Sequence, residues 1–498
     1  MYYHEYVDEI LPADIAEAPA QNFYVQAKWL LVAFMLLMPG IIFVSVPTEY
    51  VYICLLAYLN FSIIVFFSWR FIRKGTLAAM IPVLSLSYAI LAWPTPIILF
   101  GIFYPTQAYY STLSGYHFMF EAGVKVQLCV LLFLAGYLPT VSLALRNDRY
   151  IEPKAIIQTK SFGYVVAILA TAVLFFHGFS KIVRVPTVAA YLAEGFHKYL
   201  NGLVFIVGAL LRSFPKAAKI TILVLIGITV LFYTVGNNRS WAVLCVAFLT
   251  LGIVFYGGYS RKTKLVIIIC LALAFPLYVT IANVTREAIG TVGFEEGFQY
   301  RLGILREWRQ LSAERSAAAF TFGRMFHGGG HAIISMTPEK IPYRLFRVQL
   351  FIPECFEALL PGRLVYRPYY RGTHILLDYG FNIIEGKTST EVSMIGNFWS
   401  MGGWLPVIFG SIALGLWHGF LVKILQRCWR ASEMKALVYF SVLLPFLFWT
   451  SNWDFITHWR TTIYGLGLAT IIYWFLKLFI TEQRREESSI EEEPTYVL

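Results

Sequence analysis

The sequence predicts an all-α polytopic membrane protein with about twelve transmembrane helices and one large extracytoplasmic loop containing short helices. Three observations lead there. The 498 residues are 58% hydrophobic and only 14% charged, and their mean hydropathy is +0.64. A soluble chain of that length needs more polar surface to cover its core. Apolar runs of about 20 residues recur, each long enough to cross a hydrocarbon layer about 30 Å thick. Lys and Arg cluster between these runs in a pattern that sorts the connecting loops onto two sides.

The runs fall at 28–46, 50–69, 76–100, 123–145, 161–178, 199–214, 219–235, 240–257, 265–283, 396–422, 437–451 and 462–480. The sixth, at 16 residues, is short for a span. Basic clusters follow the second run (Arg70, Arg73, Lys74), the fourth (Arg146, Arg149, Lys154, Lys160) and the sixth (Arg212, Lys216, Lys219). Others follow the eighth (Arg261, Lys262, Lys264), the tenth (Lys423, Arg427, Arg430, Lys435) and the twelfth (Lys477, Arg484, Arg485). All follow even-numbered runs and so share one side, which the positive-inside rule makes the cytoplasm, with both termini. The formal net charge of +11 is explained by this flanking and does not call for nucleic acid.

The organisation is then a cytoplasmic N-terminal segment (1–27), helices one to nine (28–282), a large outer loop (283–395), helices ten to twelve (396–480) and an acidic cytoplasmic tail (481–498) expected to be disordered. The first 27 residues lack Lys and Arg, so no cleavable signal peptide is expected. Of the six Cys, four lie in apolar runs, Cys428 lies in a basic stretch and only Cys355 lies outside, which excludes an outer disulfide pair. The outer loop is expected to carry a helix over 294–322 and, beyond it, irregular structure interrupted by Pro342, Pro353, Pro361 and Pro368.

That loop carries the chemistry. It has eleven Arg, among them Arg286, Arg315, Arg324, Arg363, Arg367 and Arg371, against Lys only at 340 and 387. Arg's planar fork grips phosphate or carboxylate oxygens in pairs and never loses its proton. Two anionic phosphates of a membrane-linked lipid fit such a cluster without a metal or cofactor. The alternative is pairing with the loop's eleven Asp and Glu or with lipid headgroups. Two further cations sit on the same side. Arg239 starts a helix after Gly236-Asn237-Asn238, and Arg460 starts the last one. Charge at membrane depth is costly and faces a cavity or partner, unless it snorkels to the interface.

His327-Gly328-Gly329-Gly330-His331 is no P-loop, since it lacks Gly-Lys-Ser/Thr. Even with His374 its histidines make an incomplete metal set. His177, on an apolar run, reads as a core histidine.

Three segments resemble the oligosaccharide repeat unit polymerase family, the type of O-antigen and enterobacterial common antigen polymerases. They are Val235-Gly236-Asn237-Asn238-Arg239-Ser240; Phe351-Ile352-Pro353 with Leu360-Pro361-Gly362-Arg363; and Thr388-Ser389-Thr390-Glu391-Val392-Ser393-Met394-Ile395-Gly396, leading to Met401-Gly402-Gly403. The order of parts also matches, over roughly 160–480, although the family often has Pro where this chain has Glu391 and Val392. The resemblance implies glycosyl transfer between polyprenyl-diphosphate-linked oligosaccharides on the periplasmic face of a bacterial inner membrane. It also implies membrane lipids, a polysaccharide chain-length regulator and a flippase as partners. Arg239, Arg363 and Arg460 are the expected diphosphate clamp, with Arg286 and Arg315 next. Glu391, His327, His331, His374 and Glu357 are candidate proton acceptors, and Tyr366, Tyr369, Tyr370 and Trp399 are candidate sugar platforms. An O-antigen ligase-like transferase and a transporter or flippase for a lipid-linked glycan are the rivals. A transporter predicts charges in mid-span, and these spans have almost none.

Overall fold

Apolar runs without internal Gly-Pro breaks form helices because the backbone can satisfy its own hydrogen bonds only that way in lipid. The computed structural model describes residues 32–33, 35–44, 46, 48–73, 77–91, 117–146, 160–180, 196–235, 239–260, 262–271, 274, 356, 359, 398–399, 403–448 and 455–491. Among them the regular structure is entirely helical. We label ten α-helices: α1 (Val51–Arg73), α2 (Leu77–Leu91), α3 (His117–Arg146), α4 (Lys160–Ser180), α5 (Val204–Leu210), α6 (Lys216–Val235), α7 (Arg239–Tyr256), α8 (Trp404–Ala431), α9 (Glu433–Phe448) and α10 (Phe455–Glu491). Six described stretches are long and apolar enough to cross a membrane; they lie in α1, α3, α4, α6, α8 and α10. Shorter apolar helices cover Met35–Val44, Trp241–Tyr256 and Met434–Phe448.

The outward faces are as informative as the core. Leu223, Leu231, Phe409 (69% exposed), Ile471 (66%) and Leu478 point away from the protein. Large apolar side chains displayed on many helices at once suit hydrocarbon, not water.

Two helix pairs approach by the same device. A Cβ added to Gly136 of α3 would lie 2.4 Å from the Ile412 carbonyl oxygen of α8, and one on Gly415 would lie 2.2 Å from that of Phe133. In the second pair, a Cβ added to Gly208 of α5 would lie 2.2 Å from the Leu249 carbonyl oxygen of α7, and one on Gly252 would lie 2.1 Å from that of Phe205. Small residues let backbones close to van der Waals distance where lipid supplies no hydrophobic drive. Further along, Gly419 meets Thr140, so α3 and α8 run parallel. Asn201 reaches the Trp241 carbonyl and Arg212 donates to that of Gly258, so the helix through α5 runs parallel to α7. The α9–α10 hairpin is antiparallel: Phe446 meets Gly465, and Tyr439 bonds Thr470.

The sixth run is one continuous helical stretch with 3-10 turns at Asn201–Leu203 and Leu211–Ser213 on either side of α5. Gly202 is the reason it packs centrally, since a Cβ there would sit 1.7 Å from the Ser441 carbonyl of α9. Two expectations change. The tenth run begins at Trp404 and extends to Ala431, so Lys423, Arg427 and Arg430 lie inside α8. Helix α10 continues to Glu491, through most of the stretch expected to be disordered. Its Glu, Arg and Gln are good helix formers, no Gly or Pro intervenes, and a preformed span supplies the nucleus. Of the large loop, only Phe356 and Leu359 are described; the helix expected over 294–322 lies outside the described residues.

One buried polar link ties α1 to α3. The Asn60 amide donates to the Gln127 carbonyl at 2.9 Å and to its side-chain oxygen at 2.8 Å. Asn60→Leu is expected to lower stability by about 1 kcal/mol, the usual worth of an interhelical hydrogen bond in a membrane. A thermal melt of purified protein in detergent checks this.

Candidate functional site: an arginine and its tyrosines at one end of the bundle

Four helix ends gather at the end of the bundle where α7 and α10 begin. The stretch Phe196–Asn201 leads into α5 and lies between them. Its side chains divide between two neighbours: His197 and Asn201, four apart, share one face, and Tyr199, two residues from each, takes the other. His197 and Asn201 turn to α7: the His197 ring meets the Trp241 ring edge-on at 4.8 Å, and Asn201 Nδ2 donates to the Trp241 carbonyl at 3.4 Å. Tyr199 turns to the α9–α10 hairpin, with its ring 5.1 Å from that of Phe446.

Arg460, in the second turn of α10, is half-buried. Its guanidinium acts through space on the Tyr199 phenol, as does the hydroxyl of Tyr464. Tyr464 stands one turn below Arg460 on the same face. Its hydroxyl donates to the Leu359 carbonyl at 2.8 Å, across 105 residues of chain. Leu359 directly precedes Leu360-Pro361-Gly362-Arg363. Leu359 itself is therefore held to Tyr464, one turn along α10 from Arg460. Arg239 is the first residue of α7, two residues before the Trp241 that packs on His197 and Asn201.

A layer of imidazole and phenol groups backs this arrangement. His177 of α4 stacks on His197 with ring centres 3.6 Å apart and hydrogen-bonds the Tyr233 hydroxyl of α6 at 3.0 Å. Both histidines are buried. His177 is thus a bonded core histidine, as its setting in the sequence suggests, but with a histidine partner.

The loop's exit is also ordered by specific contacts. Gly403 has φ +76°, a backbone region that L side chains rarely adopt. Its N–H donates to the Trp399 carbonyl at 2.8 Å, and α8 starts at the next residue. The Lys125 ammonium lies 4.2 Å from the centre of the Trp399 ring, a cation–π contact. Trp399 is buried, so it is a packing anchor here.

Arg460 and Trp399 are the expected site residues whose side-chain surroundings are described. Arg239 is placed by its backbone. Arg286, Arg315, Arg324, Arg363, Arg367, Arg371, Glu391, His327, His331, His374 and Tyr370 lie outside the described residues, as do Glu357, Tyr366 and Tyr369. Among the described residues, no group of three or more His, Cys, Asp or Glu is placed to hold a metal. The sequence reading passed over Tyr199, Tyr464, His197 and Asn201. Tyr464 carried a usable signal, since it repeats the face of Arg460 at a spacing of four.

No family model, curated protein or solved structure matches this chain. Its function must therefore be argued from its own residues. A guanidinium fixed among phenols near the end of a membrane helix can bind an anion and stabilise negative charge that develops on it.

Proposed function

We propose that the chain is a polymerase that joins polyprenyl-diphosphate-linked oligosaccharide repeat units on the periplasmic face of a bacterial inner membrane. The observation that carries this reading is that Arg460, the start of α7 at Arg239 and Leu359 share one end of the bundle: Tyr464, one turn along from Arg460, bonds the Leu359 carbonyl, and His197 and Asn201 pack on Trp241, two residues after Arg239. Twelve crossings with both termini in the cytoplasm fit the relative helix directions. The fourth and tenth runs are parallel, the sixth and eighth are parallel, and the eleventh and twelfth are antiparallel.

In the reaction, the anomeric C–O bond of the growing chain breaks and its electron pair leaves on the diphosphate. An acceptor sugar hydroxyl forms the new glycosidic bond and gives its proton to a carboxylate or imidazole. Glu391, His327, His331 and His374 remain the candidates for that acceptor. Arg239, Arg363 and Arg460 hold the diphosphate, and their effect is greatest as its charge grows. Arg286, Arg315, Arg324, Arg367 and Arg371 guide the anionic lipid to them. The chemistry needs no metal, because guanidinium groups supply the positive charge.

Arg239→Ala is the test. Membranes of the mutant strain are expected to contain normal amounts of inserted protein and to accumulate lipid-linked single repeats, with the polymer ladder absent on a polysaccharide gel. A wild-type ladder would remove Arg239 from the mechanism.

A further inference from the structure

A second group of polar side chains lies on the other face of the start of α10 from Arg460, against the middle of α8. The His458 and His418 rings stack with centres 4.9 Å apart and 19° between planes. Beside them the Trp459 and Trp417 rings lie 4.8 Å apart. His418 is 0% exposed and His458 1%. His418 Nδ1 donates to the Leu414 carbonyl at 2.9 Å. Both ring nitrogens of His458 and the indole nitrogens of Trp417 and Trp459 are buried, with no hydrogen-bond partner among the described residues. The hydroxyls of Thr461 and Thr462, on the next turn, donate backwards to the His458 carbonyl at 3.1 and 2.7 Å.

An indole N–H can only donate, while a neutral imidazole offers one donor and one acceptor. Each such group left unmatched in the interior costs about 1–3 kcal/mol. Four of them within two ring pairs exceed what one helix crossing, made of two stacked contacts, returns. The missing partner must accept from indoles and donate to an imidazole nitrogen. A hydroxyl oxygen does both. A metal does not, since indole N–H groups cannot ligate one. An anion is also a poor fit. Arg460 lies two residues from His458 and so about 200° around the helix, on the opposite face, and two stacked imidazoles resist charging together.

We propose that this crossing is a binding site for a hydroxyl oxygen, from water or from a sugar, held by the Trp417 and Trp459 indoles and the His458 imidazole. His418 lies fourteen residues from Trp404, about 21 Å along α8, and His458 lies in the first turn of α10, so the site joins the middle of one helix to the start of the other. It stands independently of the glycosyltransferase reading and of Arg460.

The test is the indole N–H resonances of full-length protein labelled with 15N-tryptophan in nanodiscs, assigned with Trp417→Phe and Trp459→Phe. Both are expected downfield, as hydrogen-bonded indoles, and both are expected to exchange with D2O within minutes. Insensitivity to added N-acetylglucosamine or glucose then identifies water as the ligand, and a saturable shift of both peaks identifies a sugar. An upfield position, or protection from exchange over days, overturns the proposal, because either one means dry packing.

Discussion

Arg460→Ala is expected to cut polymer formation about 100-fold or more while leaving the protein in the membrane, the loss typical when one preorganised charge-stabilising group is removed. The expectation rests on where the guanidinium is held. Two other cations on the bundle show the ordinary fate of such groups. Lys477 lies over the Trp474 ring at 4.9 Å, and Lys435 approaches the Tyr439 and Tyr473 rings at 5.7 and 5.8 Å, at the opposite end of α10. Arg460 is instead half-buried at the start of α10, with the Tyr199 phenol within reach of its charge and Tyr464, which bonds the Leu359 carbonyl, one turn along. Arg460→Lys preserves the charge and loses the planar fork, so its activity should fall between alanine and wild type. Tyr464→Phe removes only the hydrogen bond to Leu359 and should cost several-fold, in line with about 1 kcal/mol for a neutral bond. The measurements are polymer length on gels and transfer by reconstituted protein. A wild-type rate in Arg460→Ala would leave the clamp without its best-placed member.

The sequence revealed the helices more fully than it revealed the site, for a physical reason. A membrane span is a local property: about 20 apolar residues suffice to announce it, and the basic flanks give its direction. Run and helix agree closely at 50–69 with α1, 219–235 with α6 and 240–257 with α7. Boundaries failed where helices outlast the hydrocarbon, as at Lys423–Arg430 in α8 and beyond Ile480 in α10, because hydropathy stops at the membrane and hydrogen bonding does not. The site is not local. Tyr199 comes within reach of the Arg460 charge where Gly202 lets its stretch press against α9, and Leu359 meets Tyr464 across 105 residues of chain that include α8 and α9. Two histidine pairs, His177 with His197 and His418 with His458, join residues 20 and 40 apart in sequence. The sequence reading weighed His177 alone, because nothing in the composition of a span tells a histidine facing lipid from one facing another histidine.

Packing at the paired glycines gives the largest expected structural effect. Gly415→Leu should prevent accumulation of folded protein, read as loss of the monodisperse peak in size-exclusion chromatography from detergent. The Cβ alone would lie 2.2 Å from the Phe133 carbonyl and 2.8 Å from the Tyr137 nitrogen. These are backbone atoms that no rotamer change can move aside. The side chain beyond it adds bulk to a contact that Gly136 makes equally close from the other helix. Overpacking a well-filled interior usually costs about 1–3 kcal/mol, and here two whole helices must separate to relieve it. Gly202→Ala should be comparably severe, with its Cβ 1.7 Å from the Ser441 carbonyl, and it would displace the stretch that carries Tyr199. Gly227→Ala and Gly467→Ala are the matched controls. Neither new methyl meets an atom within 4 Å, so both should be neutral or slightly stabilising through higher helix propensity. If Gly415→Leu folds as well as these two, α3 and α8 can slide apart without penalty. In that case the glycine contacts are incidental to the fold, and the arrangement of Tyr199, Arg460 and Tyr464 would need some other frame to hold it.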